Sequence, residues 1–119
     1  MFVSNGLGDL SVRLILDRAD MTVAEKRAKS SPTAENYLNL CNLYDRNWRY
    51  IDAIGACQKA IQLKPTFLEA YSSLTTAYMD IELWEEAIET AEQALRINPQ
   101  FPFMQEKLKR SIHEMGLRD

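Results

Sequence analysis

From Tyr37 onward the apolar residues of the chain recur at intervals of three and four. Tyr37, Leu40, Cys41 and Tyr44 stand at i, i+3, i+4 and i+7, a spacing that gathers side chains on one stripe of an α-helix. The pattern returns at Tyr71, Leu74, Thr75 and Tyr78. A longer stripe follows each: Tyr50, Ala53, Ile54, Cys57, Ala60 and Ile61, then Trp84, Ala87, Ile88, Ala91, Ala94 and Leu95. Each longer stripe predicts a second amphipathic helix. Its alanines let a partner helix approach closely, while the leading aromatic fills the wedge that remains. Pro65 and Pro99 end these second helices, because proline blocks helix continuation and biases the preceding residue away from the α region.

These helices are two copies of one unit. A shift of 34 residues brings "AENYLNLCNLYDRNWRYIDAIGACQKAIQLKPTF" (34–67) into register with "LEAYSSLTTAYMDIELWEEAIETAEQALRINPQF" (68–101). It matches Tyr37 with Tyr71, Leu40 with Leu74, Tyr44 with Tyr78, Tyr50 with Trp84, Ala53 with Ala87, Ala60 with Ala94, and Pro65 with Pro99. Every matched position is apolar, small or a helix breaker. Beyond 101, Met104, Leu108, Ile112 and Met115 form a further stripe, opposite Gln105, Glu106, Lys109, Arg110 and His113. Residues 102–119 therefore read as a capping helix, dry on one side and wet on the other, with Gly116 as its stop. Residues 1–33 carry weaker signals. Asp9 predicts the cap of a helix through Leu10, Leu14, Ile15 and Leu16, and Asp20 the cap of another through Val23, Ala24 and Ala28. Residues 1–8 read as frayed.

The helix pair, with large residues in its first helix, an aromatic and three small residues in its second, and a closing proline, resembles the tetratricopeptide repeat. The resemblance covers 34–67 and 68–101 as full repeats and implies an all-α, right-handed helical-hairpin solenoid forming one domain. Residues 1–33 then act as a degenerate half-repeat, with Lys26 where Ala60 and Ala94 fall. The resemblance also implies a protein-protein interaction module rather than an enzyme, binding a peptide or a partner helix in a concave groove lined by the first helix of each pair. Carried over position by position, the groove residues are Leu38, Asn42 and Asp45, then Ser72, Thr76 and Met79, then Phe103, Lys107 and Arg110 of the capping helix.

One specialisation of that family grips a peptide's C-terminal carboxylate with Lys, Asn and Arg side chains. Asn42 matches it and Lys107 offers a cation, but Leu38, Ser73 and Phe103 stand at three of its donor positions. The chain therefore departs from a clamp that needs donors converging on both oxygens. Leu38, Met79 and Phe103 leave two readings open: scattered exposed apolar residues, or a contiguous patch for a partner helix or a second copy of the chain. The run Glu82, Glu85, Glu86, Glu89 and Glu92 reads as a solvated helix face, with a docking patch for a basic partner as its alternative.

Bulk properties narrow the function classes. The chain has 119 residues, 14 basic and 17 acidic, for a net charge of −3, so it lacks the basic excess that tracks a phosphate backbone; nucleic acid is not an expected partner. No apolar stretch approaches the ~20 residues of a membrane span, and the N-terminus lacks a charged leader, which points to a cytoplasmic protein without membrane insertion. Cys41 and Cys57 read as two buried thiols, their spacing fitting no zinc pattern. Neither a phosphate loop nor a nucleophile-base spacing is present, so no cofactor, metal or catalytic residue is expected.

The turns depart from the family pattern, which favours glycine where this chain has Trp48 and Glu82. Asn47 is expected to take a left-handed conformation in the first turn, and "DIELWEE" implies strain or a shifted turn in the second. Trp48 then either folds over a neighbouring apolar surface or anchors an interface. Three alternatives to a peptide-binding module stay open: a homo-oligomer, an engineered assembly variant of the scaffold, and a docking appendage of a larger enzyme.

Overall fold

The structure, a computed structural model, describes residues 6–118, which form α1 (Gly6–Ser30), α2 (Ala34–Arg46), α3 (Tyr50–Leu63), α4 (Leu68–Asp80), α5 (Trp84–Ile97) and α6 (Met104–Arg118). Each helix packs on the next in sequence, and α4 additionally touches both α2 and α6. No contact links α3 with α5 among the described residues. The helices α2, α4 and α6 thus crowd together on one side while α3 and α5 splay apart on the other, and the stack curves with α2, α4 and α6 inside. Its radius of gyration of 16.3 Å exceeds the roughly 13–14 Å of a compact chain of this length, as a short solenoid should.

The predicted stripes form the core. Leu40, Cys41, Ala53, Ala56 and Cys57 bury against Ala24 and Ala28 of α1 and Leu74 and Ala77 of α4. Tyr71, Ala91, Ala94 and Met104 make the corresponding cluster one repeat further on. Ala53, Ala60, Ala87, Ala91 and Ala94 are wholly inaccessible, which is the close approach that their small side chains permit.

The first segment differs from expectation. In place of two helices capped by Asp9 and Asp20, α1 is continuous, and Asp20 is an exposed mid-helix residue. Neither proline nor glycine follows Gly8 before Ser30, so nothing interrupts the backbone ladder. Gly6 and Gly8 lie inside the helix rather than in a frayed end; the rest of the frayed reading, residues 1–5, lies outside the described residues. Lys26 remains exposed while Met21, Ala24 and Ala28 turn inward.

A second correction concerns the cysteines. Cys41 and Cys57 are not free thiols but a disulfide, with a Cα–Cα distance of 5.4 Å, wholly buried where α2 crosses α3. The separation of 16 residues is the length of chain that leaves the contact stripe of α2, turns, and returns opposite it on α3. Both positions are small in the repeat pattern for the same reason that they can be bridged.

The turns explain the missing glycines. After α2, the Arg49 amide donates to the Tyr44 carbonyl (2.9 Å) and the Trp48 amide to the Asp45 carbonyl (3.0 Å). After α4, Leu83 donates to Tyr78 (2.9 Å) and Glu82 to Met79 (3.0 Å). Both are Schellman ends, which place one left-handed residue just past the helix. That residue is Trp48 (φ 62°) in the first and Glu82 (φ 60°) in the second. Asn47, expected to fill this role, instead has φ −100° and caps the helix through its own amides. No turn is shifted; each carries the strain in place. In the first, the Arg49 guanidinium lies 4.8 Å from the centre of the Tyr44 ring, supplying by cation–π contact what an apolar pair usually supplies across this motif.

Candidate functional site

Because α2, α4 and α6 are parallel members of one surface, residues one turn apart on each line up across it. Asn42 and Ser73 meet between α2 and α4, the Ser73 hydroxyl donating to Asn42 Oδ1 at 2.7 Å. Between α4 and α6, the Lys107 ammonium donates to Ser72 Oγ at 2.8 Å and to Thr76 Oγ1 at 2.9 Å, with the Ser72 carbonyl at 3.4 Å. Burial pushes the Lys107 ammonium below its ordinary range, and the charge of Asp80 partly restores it. Farther along the seam, the Asp45 carboxyl is pushed up to about 6 by burial, then by the charge of Asp80 and the hydrogen bond between the two. Asp45 Oδ1 is buried without a partner, as is the indole Nε1 of Trp84.

Where α4, α5 and α6 meet, the surface opens into a cavity of about 330 Å³, lined by Thr76, Met79, Asp80, Trp84, Phe103, Glu106, Lys107 and Arg110. Its walls are apolar at Met79, Trp84 and Phe103, with charges of both signs at the rim. Phe103 is 75% exposed and left-handed, at φ 63°, and a strained, exposed aromatic beside a cavity is a common mark of a contact residue. A shallower cleft of about 520 Å³ lies between α1 and α2, among Glu25, Lys26, Lys29, Tyr37 and Tyr44. There the Tyr44 hydroxyl donates to Glu25 Oε2, and burial followed by this bond raises the phenol to about 12.

Of the nine residues expected in the groove, the cavity unites five: Thr76, Met79, Phe103, Lys107 and Arg110. Asn42, Asp45 and Ser72 lie along the seam that leads to it, engaged in cross-helix contacts. Leu38 does not join them in an apolar patch; it is half-buried and packs onto the core around Ala34, Ala60 and Ala70. Its helical position faces partly toward α3, a distinction of less than one turn that residue type alone does not reveal. Trp48 stands apart at the turn rim, 72% exposed, and does not fold over an apolar neighbour. The residue missed as a site member is Trp84: the 34-residue match with Tyr50 marks it as a wedge, and only the packing of α6 shows that one side of the indole walls the cavity.

Among the described residues no three His, Cys, Asp or Glu side chains converge as metal ligands, and no helix is long and apolar enough to cross a membrane. The arrangement is that of a binding surface on a helical-hairpin solenoid, and the fold is the tetratricopeptide-repeat fold. No protein-family model and no curated protein sequence matches the chain, so the likeness rests on three-dimensional comparison. The first such domain of RPAP3 (Spaghetti), solved bound to an HSP90 peptide, superposes with a TM-score of 0.80 at 19% identity, covering 92% of this chain and 87% of that one. The TPR2B domain of yeast Sti1, solved with an Hsp70 peptide, gives 0.77 at 19% identity, over 90% and 91%. MamA gives 0.80 at 26% identity, over 95% of this chain and 62% of that one.

Proposed function

We propose that this chain is a protein-interaction module that binds a peptide or partner helix along the α2, α4 and α6 face, with its anchoring contact in the cavity between α4 and α6. The observation that carries this reading is the cavity itself, where Met79, Trp84 and Phe103 offer apolar surface beside Lys107 and Arg110. The RPAP3 and Sti1 domains, which have the same fold, were solved with chaperone peptides, which supports the mode of binding rather than the identity of the ligand. A chaperone-tail clamp is disfavoured by the side chains present. Asn42 is already paired with Ser73, and Lys107 already spends its donors on Ser72 and Thr76. Arg110 is left as the exposed cation of the cavity rim.

Peptides selected from a random display library on the unmodified protein provide the test. Their affinity should fall at least tenfold on a Met79→Ser/Phe103→Ser variant; unchanged affinity would move the site elsewhere.

A second reading, self-association, is favoured by one observation: Trp48 and Ile51 lie near each other in sequence at the turn rim and are each 72% exposed. Light scattering on the parent and on Trp48→Ala decides it, since a monomer in both cases removes it. As to location, the buried disulfide favours an oxidising compartment over the cytosol, where thiols are kept reduced.

A further inference from the structure

We propose that Asp45 and Asp80 form a proton-held joint between the groove-lining helices of the two repeats, closed while the pair shares a proton and opened when both carboxyls ionise. The seam between α2 and α4 brings them together. Asn42 is fixed to Ser73 at 2.7 Å, Asp45 follows Asn42 by one turn, and Asp80 follows Thr76 by one turn on the same side of α4. Both aspartates stand in the last turns of parallel helices, where the helix dipoles already concentrate negative potential. Two carboxyls in hydrogen-bonding contact require a proton between them, because neither has a donor once both are ionised.

The surroundings confine that proton to Asp45. From α3 the neighbouring titratable group is Tyr50, whose phenol is raised by burial and then by Asp80 and Asp45. From α6 comes the Lys107 ammonium, which acts on Asp80, with Glu106 and Arg110 on the same cavity wall. From α5 the neighbour is the Trp84 indole, which shares the cavity with Asp80 and does not titrate. On the α1 side, Glu25 is engaged by Tyr44. The positive charge thus lies on the Asp80 side, and Asp45, with one oxygen buried and unpartnered, carries the proton.

The acid is held more tightly in the folded chain, near 6 against an ordinary 3.8. The joint's contribution is therefore complete below about pH 4 and is lost as the pH rises through about 6. Opening separates the C-terminal ends of α2 and α4 beside Trp84, and so alters the wall of the α4–α6 cavity.

A single-tryptophan protein tests this without any ligand. Trp48→Phe removes the exposed indole and leaves Trp84 as the reporter. Between pH 5 and 7 its emission should step with a midpoint near 6, and the side-chain carboxyl carbon of Asp45 should titrate with the same midpoint by NMR. In the same background, Asp45→Asn and, separately, Asp80→Asn should each flatten the step, because the amide donates to the remaining carboxylate as the shared proton did. A step that survives in both Asn variants, or a parent with no step and an Asp45 carbon titrating near 4, overturns the proposal.

Discussion

Replacing Trp48 by glycine and by alanine measures the strain in the turn that follows α2. Trp48 holds φ 62° with 28% of its surface covered, being 72% exposed. The covered part is roughly 70 Å² of an indole, or about 1.5 kcal/mol of burial. Both variants forfeit that term, so comparison with the parent alone mixes it with the backbone. Comparison of the two variants does not. An L-residue in the left-handed region costs about 1–2 kcal/mol, while glycine in the unfolded chain gives back about 0.5–1. The glycine variant should therefore be the more stable by roughly 0.5–1 kcal/mol, or about 2–4 °C in melting temperature. An exposed helix-interior site such as Gln93 on α5 should show the opposite order, alanine ahead by about 1 kcal/mol. Denaturant melts followed by circular dichroism read both pairs. Equal stability of Trp48→Gly and Trp48→Ala, or alanine ahead, would mean that the Schellman end does not impose a left-handed residue here, and the account of the turn would fail.

Three further outcomes follow from particular contacts. Reducing the Cys41–Cys57 bond, whose loop spans 16 residues, should lower stability by about 3 kcal/mol on the chain-entropy estimate, read as the difference between melts with and without dithiothreitol; no difference would mean that the bond is absent in solution. Phe103→Gly should raise stability by about 0.5–1 kcal/mol, since the side chain is exposed and left-handed, while weakening the library-selected peptides; a destabilised variant would contradict the strain assigned there. Tyr44→Phe removes the tie to Glu25, worth about 1–2 kcal/mol, and should speed hydrogen exchange in the second half of α1 without changing α5 or α6; uniform acceleration would mean that the contact supports the whole stack.

The repeat was legible because its signal is redundant: each stripe is stated twice, 34 residues apart, and proline closes each copy. What the pattern did not carry were features set by single atoms or by neighbours across the stack. Cys41 and Cys57 each satisfy a demand for a small residue, so the pattern is equally content with two thiols or one bond. The strained residue of each turn was misassigned in the first because Asn47 tolerates the left-handed region, yet the 6→1 and 5→2 hydrogen bonds count residues from the helix end and fall on Trp48. Asp20 resembled a cap by type alone, and without a breaker before it α1 ran on. In the groove, residue numbers located the correct face, but the partition of Leu38 into the core and of Trp84 into the cavity depends on how α3 and α6 lean on that face.

The central claim is that ligand engages the face made by α2, α4 and α6, anchored between α4 and α6. Titrating isotope-labelled protein with a library-selected peptide and following backbone amide shifts tests it most directly. The account predicts that the largest shifts fall at Thr76, Met79, Asp80, Phe103, Lys107 and Arg110, with smaller ones along Asn42 and Asp45. Shifts confined to the outer faces of α3 and α5, or to the turn around Trp48, would contradict it.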